Sequence, residues 1–394
     1  MSKALSLQFH DQHQALLAFI RQQYPLLETI PLHTPVLGAW EKQALNDCID
    51  SDFVSSVGPA INAFEQGIAN IAKAKFAVAT VNGTAALQLA LLVNGVSVGT
   101  EVITQAFTFV GTANAISHCG AKPVFIDINR ETLGLCPRAL RAWLQNNTQN
   151  INGTCLNKTS GNAISACVVM HSFGHPAQIT ELLEVCQAFS IALIEDAAEA
   201  VGSLYQLAPV GCRGSCGVFS FNGNKIITTG GGGALITNDV SMAQRARHLA
   251  TTAKQTHAWH FYHDEVGFNF RLPNLNASLG LAQLKRLPQL LQTKRQLASR
   301  YRDFIKALGF EWVNEPEACQ SNYWLNAILC ADECERDNLL ATAHDQGIYL
   351  RPAWQPLHQS PMYVHCQHDA LSHTEDIAAR LVNLPSGVMG LAHA

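Results

Sequence analysis

The hydrophobic positions near the start of the chain recur at helical spacing. Apolar or amphipathic residues stand three or four positions apart and share one side of such a helix: Leu5, Phe9, His13, Leu16, Leu17 and Ile20. This spacing predicts a helix over residues 5–24. A series of prolines and glycines then marks the entry into the main body of the protein: Pro31, Pro35, Gly38, Gly58 and Pro59.

From about Phe64 onward, short apolar runs alternate with stretches of helical spacing. This alternation is typical of an α/β domain built on a largely parallel sheet. Most of the apolar runs are bounded by Gly, Pro, Asn or Asp. Seven of them are predicted strands: residues 76–81, 101–104, 122–127, 166–170, 192–195, 216–221 and 233–237.

The pattern changes after residue 275. A long helical segment covers residues 276–308 and ends at Gly309, and we expect Pro288 to break or kink it. Strand-like runs follow at 323–330 and 347–351, and a helix at 374–382. We therefore predict an N-terminal helical segment over 1–57, a large α/β domain over 58–275 and a smaller α+β domain over 276–394. The polar stretch 146–162 is predicted to be an exposed loop.

Composition narrows the class of protein. Of 394 residues 48% are hydrophobic and 14% charged, which allows a large buried core, and the net charge is −4 with no massed Lys or Arg. Nucleic acid and anionic membranes are therefore not expected partners, since both need a basic surface. The longest apolar run, near residues 85–93, is too short to span a bilayer, and no signal peptide opens the chain. We expect a cytoplasmic protein.

The 12 cysteines include no CxxC pair, so we expect reduced structural thiols and no metal site. The group His365, Cys366 and His368 has metal-like composition but no partner group, and we interpret it as a loop without a ligand.

A first candidate for chemistry is the turn after the first predicted strand. Asn82-Gly83-Thr84-Ala85 leads from this strand into a helix, and the amide groups at a helix N-terminus bind anions such as phosphate. An ordinary capped helix would have the same sequence, so this stretch alone leaves both interpretations open.

A second candidate is the acidic pair Glu195-Asp196 at the end of the strand predicted at 192–195. Ligands of parallel sheets bind at the carboxyl ends of their strands, where a carboxylate can pair with a ring nitrogen or a metal. Capping of a following helix by Asp196 is the alternative.

The third candidate is Lys225, which follows the strand predicted at 216–221 through a turn and precedes four glycines. Lysine is rarely buried, so a lysine among apolar residues and glycine turns suits covalent catalysis. The alternative is a solvated lysine in a turn.

Taken in order, these segments resemble the DegT/DnrJ/EryC1/StrS family of nucleotide-sugar aminotransferases, which depend on pyridoxal phosphate. The likeness covers nearly the whole chain from about Pro31. Six runs carry it: residues 82–87, 108–116, 120–127, 195–198, 220–225 and 267–272. Within the family, residues 53–58 and 221–233 look closest to the enzymes that act on UDP-4-keto-6-deoxy-N-acetylhexosamines in bacillosamine and legionaminic acid synthesis.

The resemblance implies a fold, a cofactor and roles for individual residues. The fold would be the type I fold of aspartate aminotransferase. Lys225 would hold pyridoxal 5′-phosphate as a Schiff base and later act as the general acid and base, while Asp196 would pair with the pyridine nitrogen. The other cofactor contacts would be Gly83, Thr84, Ala85, Phe109, Glu199, Ser220 and Asn222, with Asn269 reaching over from the partner of a homodimer.

Two positions differ from the commonest family pattern. Glu199 stands where many members have Gln or His, and Asn222 where several have His; we interpret both as marks of a subfamily. Arg351, Trp354 and His358 belong to a segment that resembles the part of the family's small domain lining the sugar-nucleotide cleft. A simple role of Trp354 in the domain-interface core is the alternative.

The predicted function is transfer of an amino group from glutamate to C4 of a UDP-linked 4-keto-6-deoxy-N-acetylhexosamine, for surface-glycan synthesis. Two other functions remain open. A sugar dehydratase of the same fold would have His in place of Lys225, which argues against it. A cofactor-binding regulator without turnover is possible because a fold does not determine a function. A nicotinamide-dependent oxidoreductase is disfavoured because no G-x-G-x-x-G follows an early strand.

Overall fold

The computed structural model of the chain describes residues 3–389. Its α-helices are α1 Lys3–Gln23, α2 Ala39–Asp50, α3 Pro59–Ala72, α4 Gly83–Val93, α5 Val110–His118, α6 Pro137–Asn147, α7 Ile179–Ala188, α8 Val240–Ala250, α9 Asn274–Leu308, α10 Glu333–Asp345 and α11 Ser372–Arg380. Its strands are β1 Phe76–Thr80, β2 Glu101–Gln105, β3 Lys122–Ile126, β4 Thr148–Ile151, β5 Thr154–Asn157, β6 Ile164–Met170, β7 Ala192–Asp196, β8 Leu204–Tyr205, β9 Ala208–Pro209, β10 Cys216–Ser220, β11 Gly233–Thr237, β12 Glu311–Trp312, β13 Cys319–Gln320, β14 Asn326–Leu329, β15 Arg351–Pro352 and β16 Leu381–Leu384.

The large sheet consists of the seven strands that the alternation of apolar runs predicts. Their order is β1-β11-β10-β7-β6-β2-β3, and β11 runs antiparallel to both of its neighbours while the other pairs are parallel. The carboxyl ends of the parallel strands therefore meet at one edge. Loops that follow Thr80, Asp196 and Ser220 all start there.

Helices cover both faces of this sheet, because each inner strand alternates its buried side chains between two cores. In β7, Leu193 belongs to the core that includes α3, α7 and the first half of α9, while Ile194 belongs to the core under α4, α5 and α8. In β10, Phe219 belongs to the first of these cores and Val218 to the second. A sheet buried on both faces explains why its strands are apolar throughout.

A second, antiparallel sheet has the order β12-β14-β16-β15. The predicted N-terminal helix is confirmed as α1, and it packs against this smaller sheet. Leu16, Ile20 and Tyr24 share a core with Tyr301 of α9 and Ile328 of β14. The side chains of two residues used in that prediction, Leu5 and Phe9, lie outside the described part of the chain. The predicted division into segments 1–57, 58–275 and 276–394 stays a prediction.

Two predictions about elements were wrong in part. The predicted break at Pro288 does not occur: α9 continues across it between the buried residues Leu287 and Leu290, so packing on both sides outweighs the missing amide bond. A kink at Pro288 stays a prediction. The stretch 146–162 is largely exposed, as predicted, but it is not a loop throughout, because it contains the hairpin of β4 and β5. The buried Asn157 at its end donates a hydrogen bond of 2.6 Å to Glu101.

The predicted helix at 374–382 begins earlier and ends at Arg380, where the chain turns directly into β16. The two strand-like runs are also shorter than predicted. Only Asn326–Leu329 pairs within 323–330, and the run 347–351 contributes its last residue to β15. Short apolar runs do not reveal by themselves which of their residues find a partner strand.

No helix within residues 3–389 combines the length and the apolar character needed to cross a membrane. All twelve cysteines fall in this range as free thiols, and most of them are buried.

Candidate active site

A cavity of about 340 Å³ opens at the carboxyl edge of the seven-stranded sheet. The loops after β1, β2, β7 and β10 form most of its wall. Nine of the predicted site residues line it: Gly83, Thr84, Phe109, Asp196, Glu199, Ser220, Asn222, Lys225 and Trp354. Its volume is typical of a pocket for a small molecule.

Lys225 projects into this cavity from the turn that follows β10. Its side chain is only 13% exposed, and its Nζ lies 3.2 Å from Oε1 of Glu199. On another side the Nζ stands 4.0 Å from the ring centre of Trp324. The alternative of a solvated turn lysine is therefore wrong, because the amine is enclosed by a carboxylate and an aromatic face.

Asp196 ends β7 and its carboxyl group is buried against the cavity. It accepts hydrogen bonds from Oγ1 of Thr112 at 2.7 Å and from the amide of Ala198 at 3.2 Å. Burial raises the pKa of Asp196, and these two hydrogen bonds act in the opposite direction. The residues after Asp196 form a turn, so the alternative of a helix cap is wrong.

Glu199 is buried beside Lys225 and is held from behind by the backbone. Its Oε2 accepts a hydrogen bond of 2.9 Å from the amide of Phe173, while Oε1 faces the lysine. Burial raises the pKa of Glu199, and the nearby Lys225 offsets only part of this rise. Two acidic groups and one amine thus share a space with little access to water, which suits proton transfer.

The start of α4 forms a second wall of the cavity. Asn82 caps this helix, since its Oδ1 accepts the amide of Ala85 at 2.8 Å. The amide of Ala85 is therefore engaged within the cap, and Gly83 and Thr84 are the residues of this turn that line the cavity. Capping and anion binding are compatible here, because they use different amides of the first turn.

Gly83 keeps this wall open toward Ser220. A Cβ at position 83 would lie 3.0 Å from Cβ of Ser220 and would narrow the gap between the two loops. The gap has a helix N-terminus on one side and a hydroxyl on the other, which is a setting for a phosphate group.

Phe109 forms a half-exposed aromatic wall. A Cβ at Gly111 would lie 3.0 Å from its ring and 3.1 Å from Oγ1 of Thr84, so Gly111 allows the three residues to approach. Trp354 stacks on Phe173, with ring centres 4.7 Å apart, and also lines the cavity. The position of Trp354 is therefore compatible with both predicted roles, packing in the core and contact with a ligand.

Four predicted residues do not line the cavity of the single chain: Ala85, Asn269, Arg351 and His358. Asn269 is exposed and accepts a hydrogen bond of 3.1 Å from Arg271. Arg351 is exposed in β15, and His358 lies 3.2 Å from Glu375 outside the pocket.

The side chains that cluster as a potential metal site lie apart from the cavity. Within residues 3–389 the one group of three such side chains is His248, Asp264 and Glu265, on the surface. His368 lies against the backbone of Asp369, and the described residues do not bring it together with His365 and Cys366 as a metal site.

Sequence reasoning missed Thr112 and Trp324. Thr112 lies inside the run 108–116 that carries the family resemblance, but only the fold shows that its hydroxyl reaches Asp196. Trp324 comes from the segment before β14, and no local pattern connects it with Lys225.

These residues fit pyridoxal 5′-phosphate. The cradle between Gly83 and Ser220 suits the phosphate, and Phe109 offers a face for a flat ring. The buried carboxyl of Asp196 can pair with a ring nitrogen, while the amine of Lys225 can bond with an aldehyde.

Comparison with known proteins agrees with this geometry. The chain is 36% identical to the GDP-perosamine synthase of Escherichia coli O157:H7 over 360 residues, covering 91% of this chain and 94% of that protein. It is 35% identical to the GDP-perosamine synthase of Vibrio cholerae, with the same two coverages. The solved structure of the aminotransferase TlmJ from Streptoalloteichus hindustanus is 30% identical, with a TM-score of 0.82 over 91% of this chain and 93% of TlmJ.

Residues 35–390 match the model of an aminotransferase family. EpsN of Bacillus subtilis, 35% identical with 91% of each chain covered, is named as a pyridoxal phosphate-dependent aminotransferase. The match spans most of the chain, and the solved relatives share its fold. The predicted fold class, enzyme class and cofactor are therefore confirmed, and the chain belongs to the DegT/DnrJ/EryC1/StrS aminotransferase family.

Proposed function

We propose that the protein transfers an amino group from glutamate to C4 of a nucleotide-linked 4-keto-6-deoxy sugar, with UDP-linked N-acetylhexosamines as the preferred substrates. The observation that carries the proposal is the enclosed amine of Lys225, 3.2 Å from Glu199 at the edge where Asp196 and the start of α4 also meet. Relatives named for a nucleotide-sugar product support the substrate class.

The residues of the cavity divide the work among binding, orientation and proton transfer. When bound, pyridoxal phosphate supplies an aldehyde that takes up amino groups and a ring that accepts electrons. Asp196 keeps the ring nitrogen protonated, and the hydroxyl of Thr112 fixes the carboxyl group that does so. Lys225 anchors the cofactor. It also carries the proton to and from the substrate carbon that loses or gains the amino group.

Glu199 holds the amine of Lys225 when it is free. Its second oxygen is fixed by the amide of Phe173, so the carboxylate cannot turn away. By the family resemblance, Glu199 stands where many members have Gln or His.

For the nucleotide of the substrate there is one specific alternative, GDP in place of UDP. The sequence runs 53–58 and 221–233 favour a UDP-linked sugar, whereas two relatives at 35% and 36% identity are named GDP-perosamine synthases. A GDP-linked keto sugar is therefore the second candidate substrate.

The test supplies glutamate with either the UDP-linked or the GDP-linked keto sugar and follows 2-oxoglutarate and the amino sugar by mass spectrometry. We expect turnover with the UDP-linked sugar. Turnover with the GDP-linked sugar alone would replace UDP by GDP in the proposal. Absence of a colour change when glutamate is added to the yellow protein would favour the regulator without turnover.

We also propose a homodimer in which Asn269 of one subunit reaches the phosphate site of the other. The exposed position of Asn269, outside the cavity of its own chain, supports this arrangement. Mixing the variants Lys225→Ala and Asn269→Ala tests it. Shared sites would restore about a quarter of the wild-type sites after subunit exchange, and an unshared site would restore none beyond the activity that Asn269→Ala has by itself.

A further inference from the structure

We propose that Trp324 is a positioning residue for Lys225: its indole face holds the free amine of Lys225 in the reacting position between proton transfers. This role rests on the proposed aminotransfer. The ring centre of Trp324 lies 4.0 Å from Nζ of Lys225, within the range in which an ammonium group is attracted to an aromatic face. The indole is almost fully buried, so little water competes for the amine.

The same indole also fixes the backbone beside the lysine. Its Nε1–H donates a hydrogen bond of 2.7 Å to the carbonyl of Asn224, the residue before Lys225. One side chain therefore contacts both the loop that carries the lysine and the amine at the lysine's far end. The flexible side chain of Lys225 is therefore held at its backbone and at its amine. Each time the amine becomes free, it returns to the same position.

Trp324 and Glu199, the two groups that hold the amine, belong to one hydrogen-bonded frame. The amide of Trp324 donates to Oδ1 of Asn322 at 2.8 Å. The Nδ2 of Asn322 donates to the carbonyl of Glu199 at 2.9 Å. A shift of the segment before β14 would thus move both holders of the amine together.

A buried lysine supports Trp324 from behind. Nζ of Lys294 in α9 donates to the carbonyl of Trp324 at 3.1 Å and to the carbonyl of Ser386 at 2.7 Å. This places the backbone of Trp324 against the last described segment of the chain. The indole is consequently a fixed wall and not a mobile lid.

The chemistry assigns different tasks to the two neighbours of the amine. Glu199 can accept a proton from Lys225, whereas an indole ring attracts the ammonium group without being a base. A proton on the lysine is therefore not lost to Trp324 and is available for delivery to the substrate carbon. Because this contact forms only when the amine is free, its loss should lower kcat more than it raises KM.

The first test compares Trp324→Phe, which keeps an aromatic face, with Trp324→Met, which keeps apolar volume without a ring. We expect Trp324→Met to bind the cofactor and to lose about tenfold to thirtyfold in kcat, with KM for glutamate changed much less. Trp324→Phe should retain most of kcat. Equal losses in both variants would assign the effect to the Nε1–H bond with Asn224 and overturn the proposal.

The second test avoids a change in volume. Tryptophan with increasing numbers of fluorine atoms is incorporated at position 324, which weakens the attraction of the ring for a cation. We expect the rate of the glutamate half-reaction, followed by the loss of visible absorbance, to fall stepwise with fluorination. A constant rate across the series would overturn the role even if Trp324→Met does not fold.

The half-reaction needs the cofactor and glutamate but no sugar. An incorrect choice of nucleotide sugar therefore leaves this result intact and appears only in the turnover assay. Wild-type protein that forms no coloured complex with the cofactor would instead overturn the proposed function, and the role of Trp324 with it.

Discussion

Replacing Lys294 by methionine should change how the stability of the protein depends on pH. Lys294 is buried in α9, and burial lowers the pKa of its amine from the ordinary 10.5 to about 7. Methionine has similar length and no ionisable group. It also leaves the carbonyls of Trp324 and Ser386 without this donor, which costs about 1–3 kcal/mol for each unsatisfied group.

The magnitude follows from the two pKa values. Between about pH 7 and pH 10.5 the unfolded chain holds a proton on Lys294 that the folded chain lacks. The free energy of unfolding of the wild type therefore rises with pH by up to about 1.4 kcal/mol per pH unit. Below this window both states are protonated and the slope disappears. From about pH 7.5 to about pH 9 the wild type should gain roughly 2 kcal/mol over the variant.

The assay is urea unfolding followed by tryptophan fluorescence, with wild type and Lys294→Met compared at each pH. Only the difference is interpreted, because the other titrating groups contribute equally to both proteins. Arg295→Met is the matched control, since Glu315 raises the pKa of the neighbouring Arg295 above its ordinary value and the guanidinium does not titrate in this window. Its difference from the wild type should stay constant with pH.

A difference between wild type and Lys294→Met that stays flat over this window would refute the reasoning. It would mean that Lys294 keeps its proton in the folded protein despite its burial.

Three further predictions concern the site and its frame. Lys225→Ala should abolish the yellow colour of the cofactor complex and lower turnover by on the order of a thousandfold or more, and a coloured, active variant would contradict its assignment. Asp196→Asn should lower kcat by about a hundredfold with the cofactor still bound, since a buried amide cannot stabilise a positive ring nitrogen; steady-state rates of wild type and variant decide this. Gly174→Ala should lower the free energy of unfolding by about 2–4 kcal/mol, because Gly174 has φ +98 and a Cβ there would overlap Asn322. An unchanged urea midpoint for this variant would show that Asn322 has room to move.

The large sheet was predictable because its strands are buried on both faces and interrupted by turn residues. Each of the seven predicted runs became a strand, with ends within two residues of those expected. The smaller sheet was harder. Its strands are two to four residues long, and their pairing depends on partners far along the chain, such as Asn326 with Leu384.

The residues of the site also fall into two groups, those that the sequence predicts and those that only the fold reveals. Asp196 ends β7 and Lys225 lies in the turn that follows β10, so their convergence follows from the parallel sheet. Thr112 and Trp324 belong to the site through tertiary packing, and nothing in their own segments shows it. Asn269, Arg351 and His358 rest on family resemblance and lie outside the cavity of the single chain.

The packing of α1 has a consequence for the synthesis of this protein. The hydroxyl of Tyr24 donates to the carbonyl of Gly387, and the carbonyl of Leu32 accepts the amide of Ser386. The core under α1 therefore cannot close until the ribosome has added the segment that contains Ser386 and Gly387. Until then the apolar side of α1 stays uncovered in the nascent chain, which is a state prone to aggregation. A chaperone that shields N-terminal helices during translation should raise the yield of active protein more than one added after release.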